Sequence, residues 1–358
     1  MKKILFYIPS LAPSGGIERV VTTIINNLYD KFEITILTND DKEPFYSINN
    51  RVKHDFLKSY IPLDMNSRVK RVFSQFKKIY ISSKKLSVYL NDNNFDYVYI
   101  THPISHLELL LSKYDFNKII ISEHGASNNY NNIYKWIKKL TYKKCKYYCV
   151  PTKSDCEFYE KLGFPVIYTP HYRPDLNYQK ANLDSKIVLN IGRYTDDKKQ
   201  LRLLKIWNSI DLSVREEWKL NIVGSGELYM KLDSFINEHD LTSSVFLIEP
   251  QKDISAIYKD SAIFALTSRS EGFGMVLLEA AGFGLPLISF NCPSGPRDII
   301  NHSNGFLIEN NNDELYRENL VKMMEDKNIL ETLSQGSKQL CLDWSNEKIN
   351  RIWMEIFK

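Results

Sequence analysis

The sequence predicts an α/β protein with two doubly wound, Rossmann-like domains that face one another across a cleft. Apolar, strand-like runs alternate with helical stretches along most of the chain, as in domains built from repeated βα units. A polar stretch that contains a proline separates two such series. A chain of 358 residues with 43% hydrophobic residues is long enough to bury a separate core in each domain.

Six strand-like runs define the first domain, in residues 1–170. Each run is short, mostly apolar and followed by a polar or helical stretch, which is the pattern of a buried parallel strand. The runs are Ile4 to Pro9, Phe32 to Thr38, Tyr97 to Thr101, Lys118 to Glu123, Tyr147 to Pro151 and Val166 to Pro170.

The second domain, in residues 181–340, repeats this pattern. The stretch 171–180 before it contains Pro174 among polar residues and interrupts both series, so we interpret it as a hinge. The strand-like runs are Ile187 to Gly192, Lys219 to Gly224, Val245 to Glu249, Ile263 to Thr267, Leu285 to Phe290 and Gly305 to Ile308.

A helix is predicted at the end of the chain, within residues 341–358. From about Ser345 onward, apolar side chains recur at helical spacing, which indicates that one face of this helix is buried. These side chains are Ile349, Ile352, Trp353 and Ile356.

Nothing in the composition predicts a membrane span, a signal peptide or a disulfide framework. The chain has no uninterrupted apolar run of about 18 residues, and the segment from Met1 to Pro9 is typical of a strand. The five cysteines show no paired metal-binding spacing and are expected to be reduced. We therefore expect a cytoplasmic protein, with peripheral attachment to the inner membrane face as an open question.

That question arises because the net charge of +4 is distributed unevenly. Residues 1–170 contain 25 Lys and Arg against 16 Asp and Glu, a balance of +9, and the remainder contains 22 against 27, a balance of −5. Two basic clusters lie in the first part, from Arg68 to Leu86 and from Lys135 to Lys146. In the first, cations alternate at helical spacing with Val69, Val72, Phe73, Phe76, Ile79 and Tyr80.

Such surfaces suit an anionic membrane leaflet or a lipid diphosphate. The alternative is a solvated helix face whose apolar stripe packs on the sheet. No nucleic-acid-binding motif accompanies the positive charge, so nucleic acid is not an expected partner.

Two acids bracket the segment from Glu271 to Glu279, EGFGMVLLE. Because a strand-like run ends just before Glu271, this acid lies where open α/β sheets bind their ligands. The glycine loop then starts a helix whose first N–H groups can bind a diphosphate. Glu279, about one and a half turns into the helix, can accept hydrogen bonds from ribose hydroxyls. The predicted N-terminal residues of this helix are Gly274, Met275 and Val276.

Two cations follow another strand, in the segment from Gly192 to Lys198. A diphosphate bound at this strand end would carry negative charge, which a metal or fixed cations would have to neutralise. Arg193 can bind phosphate oxygens in a forked geometry, and Lys198 or its neighbour Lys199 supplies a point charge. We favour Lys198 and expect neither an essential metal nor another cofactor.

Glycines and a histidine mark three further strand ends. Gly224 could bring backbone N–H groups close to a nucleotide or simply form a turn. Gly15 and Gly16 could let a ligand approach a helix N-terminus, although an ordinary strand-to-helix turn also explains them. Neutral His124 could hydrogen-bond a hydroxyl or a developing charge, or serve a structural role.

These motifs together resemble those of the retaining glycosyltransferases of family 4, which have the two-domain GT-B fold. The resemblance rests on the Glu-x7-Glu segment from Glu271, the Gly-Arg-x4-Lys element from Gly192 and the Gly-Gly-x-Glu-Arg element from Gly15. The run from Gly284 to Asp298 resembles bacterial polysaccharide and lipid-linked oligosaccharide enzymes that mostly use UDP-sugars. The most specific similarity lies in residues 186–309.

In that family, the residue that matches Glu271 holds hydroxyls of the donor sugar, and the match of Glu279 holds the nucleotide ribose. The resemblance likewise implies that Arg193 and Lys198 hold the donor diphosphate, with no essential metal. The second domain would bind the nucleotide sugar, with Gly224 and the N-terminus of the Gly274 helix at the nucleotide.

The resemblance also implies roles for the first domain. This domain would bind the acceptor, with the loop of Gly15 and Gly16 near both the donor phosphate and the acceptor. His124 would lie against the donor sugar. The final helix resembles the GT-B tail that crosses back to the first domain.

The sequence therefore predicts a retaining, metal-independent glycosyltransferase that uses a nucleotide sugar, by resemblance a UDP-hexose or UDP-N-acetylhexosamine. The acceptor would be a surface polysaccharide or a lipid-linked glycan. The alternatives are a non-catalytic sugar-nucleotide-binding subunit of a polysaccharide assembly and a GT-B sugar-nucleotide epimerase. Intact acids and cations favour the enzyme over the subunit, because a chain released from catalysis need not keep them all.

Overall fold

The protein is divided into two compact units. The computed structural model describes residues 1–59, 68–125, 132–251 and 253–358. Unit 1 comprises Met1–Pro174 together with Asn346–Lys358, and unit 2 comprises Asp175–Ser345. The chain first passes between the units after Pro174, within the stretch 171–180.

Unit 1 is built on a seven-stranded parallel sheet. Its strands are β1 (Lys3–Ile8), β2 (Glu33–Thr38), β3 (Lys53–Phe56), β4 (Tyr97–Ile100), β5 (Ile119–Ser122), β6 (Tyr147–Val150) and β7 (Val166–Tyr168). They lie in the order β3-β2-β1-β4-β5-β6-β7, with every pair parallel. This is the doubly wound arrangement, in which the strand order reverses between β1 and β4.

Helices connect these strands. They are α1 (Gly16–Leu28), α2 (Arg68–Asp92), α3 (Pro103–Leu111), α4 (Asn132–Thr141) and α5 (Lys153–Lys161). In β1 and β2 every residue after the first is buried, because helices cover both faces of a doubly wound sheet and leave no polar face.

Strand β3 is the one strand of unit 1 that the sequence pattern did not predict. Its residues, KHDF, are polar, and none of them is fully buried. It lies at the edge of the sheet, paired only with β2. An edge strand needs no continuous apolar run, so the pattern used for buried strands does not detect it.

Unit 2 contains a six-stranded parallel sheet. Its strands are β8 (Ile187–Ile191), β9 (Lys219–Val223), β10 (Val245–Ile248), β11 (Ile263–Leu266), β12 (Leu287–Phe290) and β13 (Gly305–Ile308). The order β10-β9-β8-β11-β12-β13 places the reversal between β8 and β11. All six predicted strands are present.

Eight helices of unit 2 follow these strands within the described ranges. They are α6 (Gln200–Asn208), α7 (Leu212–Arg215), α8 (Tyr229–Glu238), α9 (Ser255–Lys259), α10 (Met275–Gly282), α11 (Pro296–Ile299), α12 (Asp313–Glu325) and α13 (Lys327–Asp343). Helix α13 continues to Asp343, so residues 341–345, which we grouped with the terminal segment, belong to unit 2.

The last helix, α14 (Asn346–Ile356), belongs to unit 1. Its apolar face is buried, and Trp353 packs edge-on against Tyr99 of β4 with ring centroids 5.9 Å apart. Asn350 accepts a hydrogen bond of 2.8 Å from the Tyr172 hydroxyl. The end of the chain therefore completes the core of the unit that the beginning of the chain builds.

Helix α2 presents both apolar and basic groups to solvent. Ile79, Leu86 and Leu90 face the interior, whereas Phe76 is 67% exposed and Tyr80 is also exposed. The side chains of Val69, Val72 and Phe73 lie outside the described part of the structure. Within the described ranges, no helix is both long and apolar enough to cross a membrane.

Candidate active site

The candidate donor site lies in unit 2, where the strand order reverses. Strands β8 and β11 are neighbours in the sheet, and the chain winds away from them on opposite sides. Doubly wound sheets bind ligands outside the carboxyl ends of such a strand pair. Arg193 and Lys198 follow β8, and Glu271 follows β11. Residues that are far apart in sequence therefore converge on one sheet edge.

At this edge, Lys198 and Glu271 form an ion pair. The Lys198 Nζ lies 2.6 Å from the Glu271 Oε1, and the Ser268 hydroxyl donates to the same oxygen over 2.6 Å. The Glu271 side chain is 8% exposed and the Lys198 side chain is 19% exposed, so both are largely buried but keep some contact with solvent. The pair places a carboxylate, which can accept from hydroxyl groups, beside a cation that can bind a phosphate.

The structure distinguishes Lys198 from Lys199. The Lys199 ammonium pairs with Asp196 over 2.7 Å. The backbone of Lys199 is left-handed, with a φ of 54°, just before α6. Thr267, the residue after β11, holds this turn by donating to the carbonyl oxygens of Lys198 and Lys199, each over 3.2 Å.

Arg193 is exposed on a loop that its buried neighbour Tyr194 fixes. The Tyr194 N–H donates to the Ser225 carbonyl over 2.8 Å, and its hydroxyl donates to the Ile222 carbonyl over 2.8 Å. Sequence reasoning missed Tyr194. An aromatic residue directly after a predicted phosphate-binding cation was the available signal.

Gly224 and Gly226 are required by this same loop. A Cβ on Gly224 would clash with the carbonyl oxygen of Gly192, and one on Gly226 would clash with the backbone of Tyr194. These glycines therefore allow two segments of the same chain to pack closely. This packing is enough to explain Gly224, and its contact with a nucleotide remains a prediction.

Helix α10 begins at the glycine loop as the sequence predicted. Gly274 precedes the first helical residue with φ of 87°, a left-handed conformation that favours glycine. The first N–H groups of a helix lack intrahelical acceptors, and those of Met275 and Val276 lie in this first turn. The N-terminus of α10 is thus a suitable place for an anion, as P-loops and dinucleotide-binding helices use theirs.

Glu279 lies on α10 and is 2% exposed. Its Oε2 accepts a hydrogen bond of 2.9 Å from the hydroxyl of Tyr258 on α9. This bond fixes the rotamer of the carboxylate, and a preorganised carboxylate binds hydroxyls without losing side-chain entropy at that moment. Tyr258 is 21 residues upstream of Glu279, and no local pattern in the sequence signalled the pair.

In unit 1, Gly15 and Gly16 connect β1 to α1 at the edge where the strand order reverses. A Cβ on Gly15 would clash with the Glu18 carboxylate, whereas a Cβ on Gly16 would meet open space. The Glu18 side chain therefore lies close to the backbone of the glycine loop. Burial raises the pKa of the Glu18 carboxyl.

His124 follows β5 and is stacked on His171, with ring centroids 5.4 Å apart and planes 18° from parallel. Its Nε2 is buried and has no hydrogen-bond partner among the described residues. Burial lowers the pKa of His124 to about 4, so the imidazole is neutral near pH 7. A neutral ring with an unused nitrogen can donate to or accept from a ligand hydroxyl.

Most of the chain is similar in sequence to known glycosyltransferases. Residues 14–171 match the family model described as Glycosyltransferase Family 4, and residues 175–340 match that described as Glycosyl transferases group 1. The amylovoran biosynthesis glycosyltransferase AmsD of Erwinia amylovora is 28% identical over 374 residues, with 99% of each chain covered.

A second relative, from Campylobacter jejuni, is 26% identical over 362 residues, which cover 99% of this chain and 98% of the relative. It is named GalNAc-alpha-(1->4)-GalNAc-alpha-(1->3)-diNAcBac-PP-undecaprenol alpha-1,4-N-acetyl-D-galactosaminyltransferase.

Solved structures show the same fold. Staphylococcus aureus TarM, in a complex that contains UDP, superposes with a TM-score of 0.81 at 15% identity over 100% of both chains. Anabaena HepE, in complex with UDP, superposes with a TM-score of 0.76 at 16% identity over 99% of both chains. With both units matched by the family and the fold shared along the whole chain, the protein belongs to the family 4 glycosyltransferases of the GT-B fold.

Proposed function

We propose that this glycosyltransferase moves a hexose or N-acetylhexosamine from a UDP-sugar to a surface polysaccharide or lipid-linked glycan, with retention at the anomeric carbon and without a metal. The observation that carries the proposal is the contact of Lys198 with Glu271 at the reversal point of unit 2. Further support comes from the UDP in the structures of TarM and HepE and from the undecaprenol-linked glycan in the name of the Campylobacter relative.

In the proposed complex, each group of the donor has a partner. The ribose hydroxyls donate to Glu279, and the sugar hydroxyls donate to Glu271. Arg193, Lys198 and the N-terminus of α10 neutralise the diphosphate. Fixed cations and N–H groups stabilise the charge that grows on the leaving phosphate without having to reorganise, and such electrostatic stabilisation is usually the largest single contribution to catalysis.

The proposed reaction needs no covalent enzyme intermediate. The bond from the anomeric carbon to the phosphate oxygen breaks, and the acceptor oxygen forms a new bond on the same face of the sugar. The acceptor hydroxyl gives its proton to an oxygen of the departing diphosphate. Neutral His124 hydrogen-bonds a hydroxyl of the bound sugar. No protein side chain is assigned as a nucleophile.

A donor panel with a chelation arm tests this proposal. UDP release is measured with UDP-glucose, UDP-N-acetylglucosamine and UDP-N-acetylgalactosamine, with and without undecaprenyl-diphosphate-linked glycans, in excess EDTA and with added Mg²⁺ or Mn²⁺. Acceptor-dependent UDP release that persists in EDTA, with an α-linked product from the α-configured donor, supports the proposal. Activity that chelation abolishes and Mg²⁺ or Mn²⁺ restores would contradict metal independence.

Two other outcomes identify the alternative functions. Tight UDP-sugar binding without turnover, with every acceptor, would indicate a non-catalytic subunit. Isomerised UDP-sugar in the absence of acceptor would indicate an epimerase.

The geometry predicts unequal roles for two adjacent lysines. Lys198→Ala is expected to lower UDP-sugar turnover by about 10- to 100-fold and to weaken UDP binding, because a charge-assisted hydrogen bond contributes about 1.5–3 kcal/mol. Lys199→Ala should change both by less than about fivefold, since an exposed ion pair contributes at most about 1 kcal/mol. Turnover and calorimetric UDP binding check this, and a larger loss with Lys199→Ala would contradict it.

The proposed lipid-linked acceptor requires access to a membrane, and unit 1 has a surface that suits one. On α2, the exposed Phe76 and Tyr80 accompany Lys77 and Lys84, with the Lys84 ammonium 5.7 Å from the Tyr80 ring centroid. On α4, Trp136 and Leu140 are also exposed. Aromatic residues beside cations are typical of helices that bind the membrane interface. Lys138 of the second basic cluster does not contribute, because it is buried.

We expect the protein to sediment with anionic vesicles at low salt and to be released at high salt. Each cation near an anionic surface contributes about 1 kcal/mol, so Lys77→Glu/Lys84→Glu should weaken sedimentation strongly. The matched control is Lys231→Glu/Lys259→Glu, which makes the same charge change at exposed positions of unit 2. Equal binding to neutral vesicles, or equal weakening by the control, would favour the solvated-face interpretation.

A further inference from the structure

Glu123, next to His124, accepts hydrogen bonds from at least five groups of unit 1. Its Oε1 accepts from two consecutive backbone N–H groups, those of His124 over 3.0 Å and Gly125 over 3.1 Å. Its Oε2 accepts from the Lys138 ammonium and the Tyr148 hydroxyl, and from the Tyr159 hydroxyl over 3.3 Å. One carboxylate thus joins the loop after β5 to three other elements.

Lys138 reaches this carboxylate from α4, and both side chains are buried, at 4% and 2% exposure. The ammonium also lies within 6.0 Å of the ring centroids of Tyr142, Tyr148 and Tyr159. Burying two charges costs several kcal/mol of desolvation, and their attraction offsets this only when the geometry and the hydrogen bonds are good. An apolar pair of similar volume is often at least as stable, so stability alone does not account for this pair.

A carboxylate can do one thing that an apolar side chain cannot, which is to accept from both N–H groups at the start of the His124 loop. Those two bonds fix the backbone of His124, and the stacking on His171 fixes its ring. Together they determine where the buried Nε2 lies. Lys138, Tyr148 and Tyr159 in turn hold the carboxylate in the orientation that makes these bonds.

We propose that Glu123 and Lys138 are positioning residues that hold His124 in the geometry required for sugar transfer. This inference rests on the proposed role of His124 toward the donor sugar. Neither residue touches the substrate. Their effect on the reaction passes through the backbone of His124, and a displacement of about 1 Å at such a group can cost about 100-fold in rate.

The first experiment reads the position of the loop directly, without substrate. The double variant Glu123→Leu/Lys138→Met replaces the ion pair by apolar groups of similar size and leaves no unpaired charge. Amide hydrogen exchange at His124 and Gly125 is followed with overlapping peptic peptides. We expect exchange there to become about tenfold faster, with β5 unchanged, because local opening precedes global unfolding. Lys161→Met, at an exposed lysine of the same unit, is the control.

Should the double variant fail to fold, the single variant Lys138→Met is used at a temperature well below its unfolding midpoint. Faster exchange at both His124 and Gly125 with an intact β5 supports the inference. Unchanged exchange at these two amides would overturn the inference. In the folded double variant it would show that the carboxylate does not hold the loop, and in Lys138→Met it would show that the ammonium does not hold the carboxylate.

The second experiment separates positioning from a merely structural role. UDP release is measured with whichever of the three UDP-sugars turns over in the donor panel. We expect the double variant Glu123→Leu/Lys138→Met, the apolar pair, to lower kcat by about tenfold or more. Its KM for the donor should stay within about threefold of the wild-type value, because only the reactive geometry is disturbed. In a His124→Ala background the same two substitutions should cause no further loss, since residues that act through one group are not additive.

An equal loss of kcat in both backgrounds would overturn the inference. His124→Ala alone, with Glu123 and Lys138 intact, tests the proposed role of the histidine separately. If that variant turns over normally, the role of His124 is wrong and the inference falls with it. If it is impaired while the apolar pair is fully active, only the positioning inference is wrong.

Discussion

Replacing Glu271 with alanine is expected to lower UDP-sugar turnover by about 100-fold or more, while the protein remains folded. Glu271 is in contact with Lys198 and Ser268 at the reversal point of unit 2. The substitution therefore removes the proposed acceptor of the sugar hydroxyls and also releases the cation that the acid positions. Steady-state UDP release at saturating donor, with circular dichroism to verify folding, measures the effect.

Two further variants sharpen this result. Glu271→Gln keeps the size of the side chain but loses the charge, so it should lie between alanine and the wild type. Glu238→Ala, at an exposed acid on α8, is the matched control and should retain normal turnover. An alanine variant at position 271 with near-normal turnover would remove the central assignment of the donor site.

Mild acid is expected to unfold unit 1 before unit 2. Burial lowers the pKa of His102, His106 and His124 to about 4, and lowers that of His171 well below its usual value. All four lie in unit 1, whereas His239 and His302 of unit 2 are exposed. Below about pH 6.5 these histidines are protonated in the unfolded chain, whereas in folded unit 1 they stay neutral until the pH falls much further.

The stability of unit 1 is therefore expected to fall as the pH is lowered. Each lowered histidine contributes stability that is fully present above about pH 6.5, the usual unfolded pKa, and is lost as the pH falls toward 4. One pKa unit corresponds to about 1.4 kcal/mol, so each fully buried ring can contribute on the order of 2–3 kcal/mol and the partly exposed ones less. The carboxyls of Glu108, which is buried, and of Glu18, which is half-buried, have raised pKa values and offset part of this loss.

Hydrogen exchange in β5 and in β11 at pH 7 and at pH 4.5 compares the two units. Protection of β5 should fall strongly while protection of β11 changes little. His106→Gln removes one buried titrating ring from unit 1 and should reduce the pH dependence of β5. Equal loss of protection in both strands, or none in either, would contradict the prediction.

The structural features that depend only on residues close together in the sequence could be predicted from the sequence pattern. Buried parallel strands are continuous apolar runs, so twelve strands were predictable, whereas the polar edge strand β3 was not. The glycine turn before α10 was also local. It needs only a strand, a left-handed glycine and the helix that follows.

Contacts that span the chain were not predictable in the same way. Lys198 and Glu271 are 73 residues apart, and a family resemblance, not a local pattern, related them. Tyr258 was missed because nothing beside it indicates Glu279. Lys138 was counted among surface cations because a charge run does not show which of its members turns inward. Its partner Glu123 belonged to a segment that drew attention only for its histidine.

The position of α14 has a consequence for the order in which the chain folds during synthesis. Tyr172 and its hydrogen-bond partner Asn350 are 178 residues apart, and Trp353 and Phe357 cover Tyr99 and Phe32. On the ribosome, the sheet of unit 1 is translated before unit 2, but part of its apolar surface stays uncovered until residues 346–358 have been translated. Unit 2 is translated after this sheet, yet all of its residues have been made before residues 346–358 complete unit 1. Unit 1 is therefore completed only after unit 2 has been translated, and chaperones that bind apolar surface would meet the incomplete unit 1 until then.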